Sequence, residues 1–98
     1  MSQDRNFSKF GKAFQEKVFQ SMLTDIHWSA QMIEVMSPDY FDLKYLSFLC
    51  GKYFTYYQKY KTFPTLTILI TIIKEDLSKS RDAVLRDQII EYLHRMKT

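Results

Sequence analysis

Thr65-Leu66-Thr67-Ile68-Leu69-Ile70-Thr71-Ile72-Ile73 is the stretch on which the fold class turns. Its β-branched residues, Thr67, Ile68, Ile70, Thr71, Ile72 and Ile73, would suit a strand. The apolar positions follow a different period: Leu66, Leu69, Ile70, Ile73 and Leu77 recur at helical spacing and run on into Lys74-Glu75-Asp76. A strand also needs a partner, and the rest of the sequence offers none. The stretch therefore reads as a helix, with Thr65 as N-cap behind Pro64, and the chain as all-α.

Immediately upstream, residues 40–60 hold the densest aromatic run: Tyr40, Phe41, Tyr45, Phe48, Tyr53, Phe54, Tyr56, Tyr57 and Tyr60. At helical spacing Leu46, Leu49, Tyr53, Tyr56, Tyr57 and Tyr60 form one stripe, while Leu43, Phe48 and Phe54 lie on other faces. Asp42, Lys44, Lys52, Gln58 and Lys59 are too few to make a wide solvated face, so this helix must be covered on several sides. It is expected to be the central element.

Three further helices complete the pattern. Phe7, Phe10, Phe14, Val18 and Met22 recur at threes and fours, with Phe19 and Leu23 widening the stripe, which gives a helix over about Ser8 to Leu23. Ser8 is its candidate cap, or, because Gly11 costs about 1 kcal/mol against alanine in a helix interior, the start falls near Lys12. Thr24-Asp25 introduces a second helix, about Ile26 to Val35, with Trp28, Met32, Val35 and Met36 on one line; Ser37-Pro38-Asp39 stops it. A last helix, about Asp82 to Met96, points Leu85, Ile89, Tyr92, Leu93 and Met96 inward. The expected architecture is a compact, irregular bundle of about five helices around the aromatic-rich one, with residues 1–7 a flexible lead and 8–98 a single domain.

Composition narrows the function classes. At 98 residues there is room for one core and no second domain. The 14 basic and 11 acidic side chains alternate without blocks, so the net charge of +3 does not by itself point to nucleic acid. Cys50 is the only cysteine, which excludes an internal disulfide and fits a reducing compartment. Residues 1–6 lack the apolar segment of a signal peptide, and Leu66 to Ile73 is far too short to span a bilayer. A soluble, cytoplasmic protein with no membrane contact is expected.

No motif for catalysis emerges. His27, beside Trp28, has no accompanying nucleophile pattern and reads as a surface or packing residue; His94 sits where a cation favours a helix C-terminus. Asp39 and Asp42 have the spacing of helix-entry caps more than of an acid–base pair. The two glycines form no phosphate-cradling loop, so no catalytic residue, metal ligand or cofactor is assigned. The alternation of lysines and aromatic rings from Lys52 to Lys61 has the chemistry of a single-strand stacking platform, but the same rings are what a buried helix requires.

Several segments together resemble the N-terminal domain of DnaB-type replicative DNA helicases. Val18-Phe19-Gln20-Ser21-Met22-Leu23-Thr24-Asp25 is similar to that family's VLGxxLxD-like first helix. A tryptophan-bearing helix (Trp28), the acidic-aromatic entry Pro38-Asp39-Tyr40-Phe41, a long third helix and Phe63-Pro64-Thr65-Leu66 follow in the family's order, from about Phe14 to Leu77. Departures are Gln20 and Ser21 at the small, glycine-rich positions, Gln15-Glu16 for a Glu-Gln pair, and Leu43-Lys44-Tyr45-Leu46 at the start of the third helix. They fit a divergent branch such as a phage-encoded helicase.

The resemblance implies a non-catalytic domain that helps assemble the helicase ring and receives a primase or helicase loader in DNA replication. The ATPase motor and the complete subunit-pairing hairpin would lie outside these residues, and contact with DNA would be made mainly by that motor. The fragment itself would be a monomer or weak homodimer. Candidate contact residues are Tyr57 and Tyr60 at the end of the third helix, and Ile89, Tyr92 and Leu93 if the last helix is left partly uncovered. A stand-alone helical adaptor or single-stranded-DNA-binding protein is the alternative.

Overall fold

Residues 65–73 are helical. In the computed structural model, which describes residues 10–97, the chain folds into α1 (Lys12–Thr24), α2 (Ile26–Met32), a 3-10 turn (Pro38–Tyr40), α3 (Lys44–Tyr60), α4 (Leu66–Lys79) and α5 (Ala83–Lys97). Among the described residues there is no strand. The expectations of a loose segment at 1–7 and of a cap at Ser8 fall outside the described residues.

Local chemistry sets most boundaries. Asp25 caps α2 by accepting from the Trp28 amide at 3.0 Å, Thr65 caps α4 through Ile68 N–H at 3.2 Å, and Asp82 accepts from Leu85 N–H at 3.0 Å ahead of α5. The aromatic helix ends at Lys61, whose left-handed backbone (φ 58°, ψ 27°) brings its N–H to Tyr57 O.

Four expectations are corrected. α2 closes at Met32, earlier than Val35, and turn residues lead from it to Ser37-Pro38. Tyr40 to Leu43 do not belong to α3: Pro38 holds a separate 3-10 turn, whose Asp39 N–H donates to Ser37 Oγ at 3.3 Å. Nor do Asp39 and Asp42 supply the cap of α3. No side chain caps α3; Gln15 of α1 instead fixes the segment that leads into it, its Oε1 accepting from Asp42 N at 3.0 Å and Leu43 N at 3.4 Å.

Gln15 also explains the fourth correction, at the start of α1, where Phe10 and Phe14 lie outside while Phe19 and Met22 of the expected stripe are buried. The phenylalanine series at Phe10 and Phe14 is 41% and 45% exposed, its rings packed on each other at 4.6 Å; the inward face is Gln15, Phe19 and Met22. A buried glutamine that feeds two backbone amides of a neighbouring element outranks the more apolar phenylalanines for the interior position.

α3 is the axis of the bundle. Tyr45, Leu46, Leu49, Cys50 and Tyr53 are buried along it, and α1, α4, α5 and the 3-10 turn all pack on it. Phe19 from α1 meets Tyr53, Phe41 and Tyr92 with ring centroids 6.3 Å apart in each case. Tyr53 is buried to its hydroxyl, which donates to Met22 O at 2.9 Å; Ser29 Oγ donates to the same carbonyl at 2.7 Å. Two otherwise costly hydroxyls and a helix-end carbonyl thus satisfy one another where α1, α2 and α3 meet. The resulting Cα radius of gyration, 13.1 Å, is that of a fully condensed chain of this length.

Candidate docking surface

α4 carries more apolar residues than one face can hide. Leu69, Ile73 and Leu77 occupy its buried face, and Leu66, Ile68, Ile70 and Ile72 remain half-covered on either side. A helix this broadly apolar is built for cover on more than one side. Intramolecular packing supplies only part of it, and a groove runs along each shoulder.

On the α3 side the groove has a volume of about 240 Å³ and lies between Ile72 and the last turns of α3, where Tyr56 and Tyr60 pack ring on ring at 4.6 Å. Lys59 Nζ lies 5.3 Å from the Tyr60 ring centroid. Lys52 pairs with Asp76, fixing α3 against α4 below the aromatic pair. On the α5 side, Ile70, Ile73 and Leu77 face Ile90 and Leu93 across a second groove of about 200 Å³.

The five residues singled out from sequence separate cleanly. Tyr60 is 54% exposed and stands at the mouth of the first groove. Tyr57 is half-buried, its ring stacked on Phe63 at 4.7 Å and 13°, which ties the end of α3 to the connection that follows. Ile89, Tyr92 and Leu93 are buried, so the condition attached to them, an uncovered stripe on α5, is not met. They close the core over Phe19 and Tyr45, whose rings Tyr92 meets at 6.3 and 5.7 Å. The residues that do form the two mouths are Ile70, Ile72 and Ile90, which sequence reading passed over. Their signal was the apolar surplus of α4 and the pair Ile89-Ile90, of which one helical face can bury only one.

A polar cluster between α1, α3 and α5 has a different character. Glu16 of α1 accepts from Arg95 Nη1 and Nη2 at 2.9 and 2.8 Å, and from the Tyr45 hydroxyl; Tyr92 donates to the Glu16 carbonyl at 2.8 Å. The Arg95 hydrogen bonds hold the Glu16 carboxyl below its usual range, against burial, with Tyr45 adding to the effect. Burial, with the Glu16 charge in support, pushes the Tyr45 and Tyr92 hydroxyls above theirs. Both carboxylate oxygens are engaged and both phenols keep their protons, an arrangement that clamps α1, α3 and α5 together. Cys50 is fully buried and its thiol is pushed up to about 12, which makes it a packing residue rather than a nucleophile.

Among the described residues no three His, Cys, Asp or Glu side chains gather as a metal site, and no helix is long and apolar enough to cross a membrane. No protein-family model, curated protein or solved structure matches the chain.

Proposed function

We propose that this chain is a non-catalytic assembly and docking domain of a replicative DNA helicase, of the phage-encoded kind, acting in the cytoplasm. It holds neighbouring helicase subunits and a primase or helicase loader, and leaves DNA translocation to a separate motor domain. The observation that carries the docking half of this reading is the half-covered α4, with Ile72 and Tyr60 open on one shoulder and Ile70 and Ile90 on the other. Adjacent apolar side chains in concave, partly buried positions are what interface cores are made from. The helicase half rests on the resemblance, whose segments fall on the end of α1, on α2, on the 3-10 turn and on the α3–α4 connection.

Two measurements test it. The chain is mixed with the helicase motor and primase of its own genome and followed by light scattering on a sizing column. Retention of either partner, lost in Y60A/I72D, is expected. A genome whose reading frame carries no P-loop ATPase beyond Thr98 removes the helicase half.

The Tyr56–Tyr60 pair beside Lys59 favours a second reading, a single-strand-binding adaptor, because neighbouring tyrosine rings, tilted 44° to each other and flanked by a cation, offer faces to unpaired bases. Titration of labelled single-stranded DNA at low and moderate salt separates the two. Tight binding that falls steeply with salt selects the adaptor; weak binding selects the docking domain.

A further inference from the structure

The α4–α5 groove has a floor and a rim of opposite chemistry. Its floor is aliphatic, Ile70, Ile73 and Leu77 against Ile90 and Leu93, and the one ring at the groove is the rim imidazole of His94, with no phenylalanine, tyrosine or tryptophan beside it. Its rim is Lys74, His94 and Lys97, with no carboxylate among the lining residues. The acidic side chains of the two helices are engaged elsewhere: Asp76 with Lys52, Glu75 with Lys79, Glu91 with Arg95 and Asp87 with Arg86. Among the described residues none of the three rim groups enters an ion pair. The residues that form the groove repeat at i, i+3, i+4 and i+7 on α4 (70, 73, 74, 77) and i, i+3, i+4 and i+7 on α5 (90, 93, 94, 97), so each helix gives the groove one continuous face, an aliphatic row edged by basic side chains.

From this geometry we infer that the α4–α5 groove receives an amphipathic helix of a partner protein, one whose apolar ridge is flanked by carboxylates. The volume of about 200 Å³ accepts a leucine- or phenylalanine-sized anchor, since a cavity of about 150 Å³ already holds a benzene ring. An aliphatic slot selects a helix ridge over a run of bases, which would need rings to stack on. The uncompensated rim selects the sign: carboxylates flanking the ridge meet Lys74 and Lys97, whereas lysines there would meet like charge. The inference rests on the docking reading and names the chemistry of its partner.

The test uses the full chain and two fluorescein-labelled synthetic helices. Both carry leucines at i, i+3, i+4 and i+7; one is flanked by glutamates and the other by lysines. Anisotropy titration at low salt is expected to show the glutamate helix binding about tenfold tighter, the scale of a few partly exposed charge pairs, with the gap narrowing as salt rises. K74E/K97E is expected to reverse the preference and I90D to weaken both peptides about tenfold, with circular dichroism confirming the fold of each variant. Equal affinities, a preference unmoved by K74E/K97E, binding of neither helix, or displacement of the glutamate helix by a thymidine oligonucleotide overturns the inference. Primase or motor capture that survives K74E/K97E and I90D would remove this groove and leave the docking reading standing. Loss of capture by the unmodified chain would instead remove the docking reading itself.

Discussion

The guanidinium of Arg95 forks onto the carboxylate of Glu16, Nη1 to Oε1 at 2.9 Å and Nη2 to Oε2 at 2.8 Å, joining positions 79 residues apart. It is the polar counterpart of the aromatic core, because it fastens the last helix to the first across the Tyr45 end of α3. Hydrogen bonds from Arg95 lower the Glu16 pKa in the fold, so the carboxylate form is bound more tightly there than in the unfolded chain. Such a group stabilises the protein above its unfolded pKa, and the contribution disappears as pH falls through the lowered folded value. E16Q is expected to cost about 1–2 kcal/mol at pH 7, with Arg95 partly exposed to water, and the gap to the parent chain should close on acidification from about pH 4.5 downward. Urea midpoints of both chains between pH 7 and pH 3 measure it, and a gap independent of pH would dismiss the clamp.

Gln15, one residue earlier, is expected to matter as much without any charge. Its side chain is buried, donates to Phe10 O at 3.1 Å and accepts from the Asp42 and Leu43 amides. Q15L keeps the volume and removes these hydrogen bonds, at an expected loss of about 2–3 kcal/mol. Hydrogen exchange localises the effect: the Asp42 and Leu43 amides should lose protection beyond what the global loss explains. Unchanged protection there would mean that α3 begins without help from α1.

Those two residues mark where sequence reasoning stops. The all-α class, the α4 cap at Thr65 and the central place of the aromatic helix are legible, because period and capping are local properties written in neighbouring residues. The inward face of α1 is legible at Phe19 and Met22 but not in its first turn, since there it depends on a glutamine reaching a segment 27 residues away, and hydrophobicity alone ranks Phe14 above Gln15. The open mouths at Ile70, Ile72 and Ile90 are half legible: the apolar surplus of α4 and the Ile89-Ile90 pair say that some apolar side chains stay uncovered, but which ones depends on how closely α3 and α5 approach α4, which no local pattern encodes.

Alkaline pH should act through the tyrosines. Burial raises the pKa of Tyr45, Tyr53 and Tyr92, most for the first and third, so the fold favours their protonated forms. For a group raised in the fold, the stabilisation is complete below the unfolded value, 10.0 here, and is lost as pH climbs through the folded one. Tyrosinate absorbance at 295 nm should therefore show a late, cooperative component that coincides with loss of helical circular dichroism. Y45F/Y92F should blunt that component while costing about 1 kcal/mol per lost hydroxyl at pH 7. A single ordinary titration with the helices intact would contradict it.

Lys61 holds a conformation that side chains resist. With φ at 58° it ends α3 in the left-handed region, where glycine carries no Cβ penalty. K61G is expected to stabilise the chain by about 0.5–1 kcal/mol, part of the relieved strain being offset by the greater freedom of glycine in the unfolded state. A urea titration reads the change directly. A loss in place of a gain would show that the lysine side chain contributes more than its backbone costs.

Ile89 and Ile90 offer the sharpest contrast in the molecule, because they are adjacent, chemically identical and opposite in burial, 0% against 50% exposed. Ile89 lies in the core with Tyr92 and Leu93, so I89A removes buried methyl groups and leaves a cavity, at an expected cost of about 2–4 kcal/mol. Ile90 sits at the mouth of the α4–α5 groove, where truncation removes surface already half in water; I90A should cost less than about 1 kcal/mol. Denaturant titration of the two variants decides between a structural and a docking face on α5. If I90A proves as damaging as I89A, the α4–α5 groove is closed in solution by the chain's own packing, and α4 keeps only its α3 shoulder, at Ile72 and Tyr60, to offer a partner.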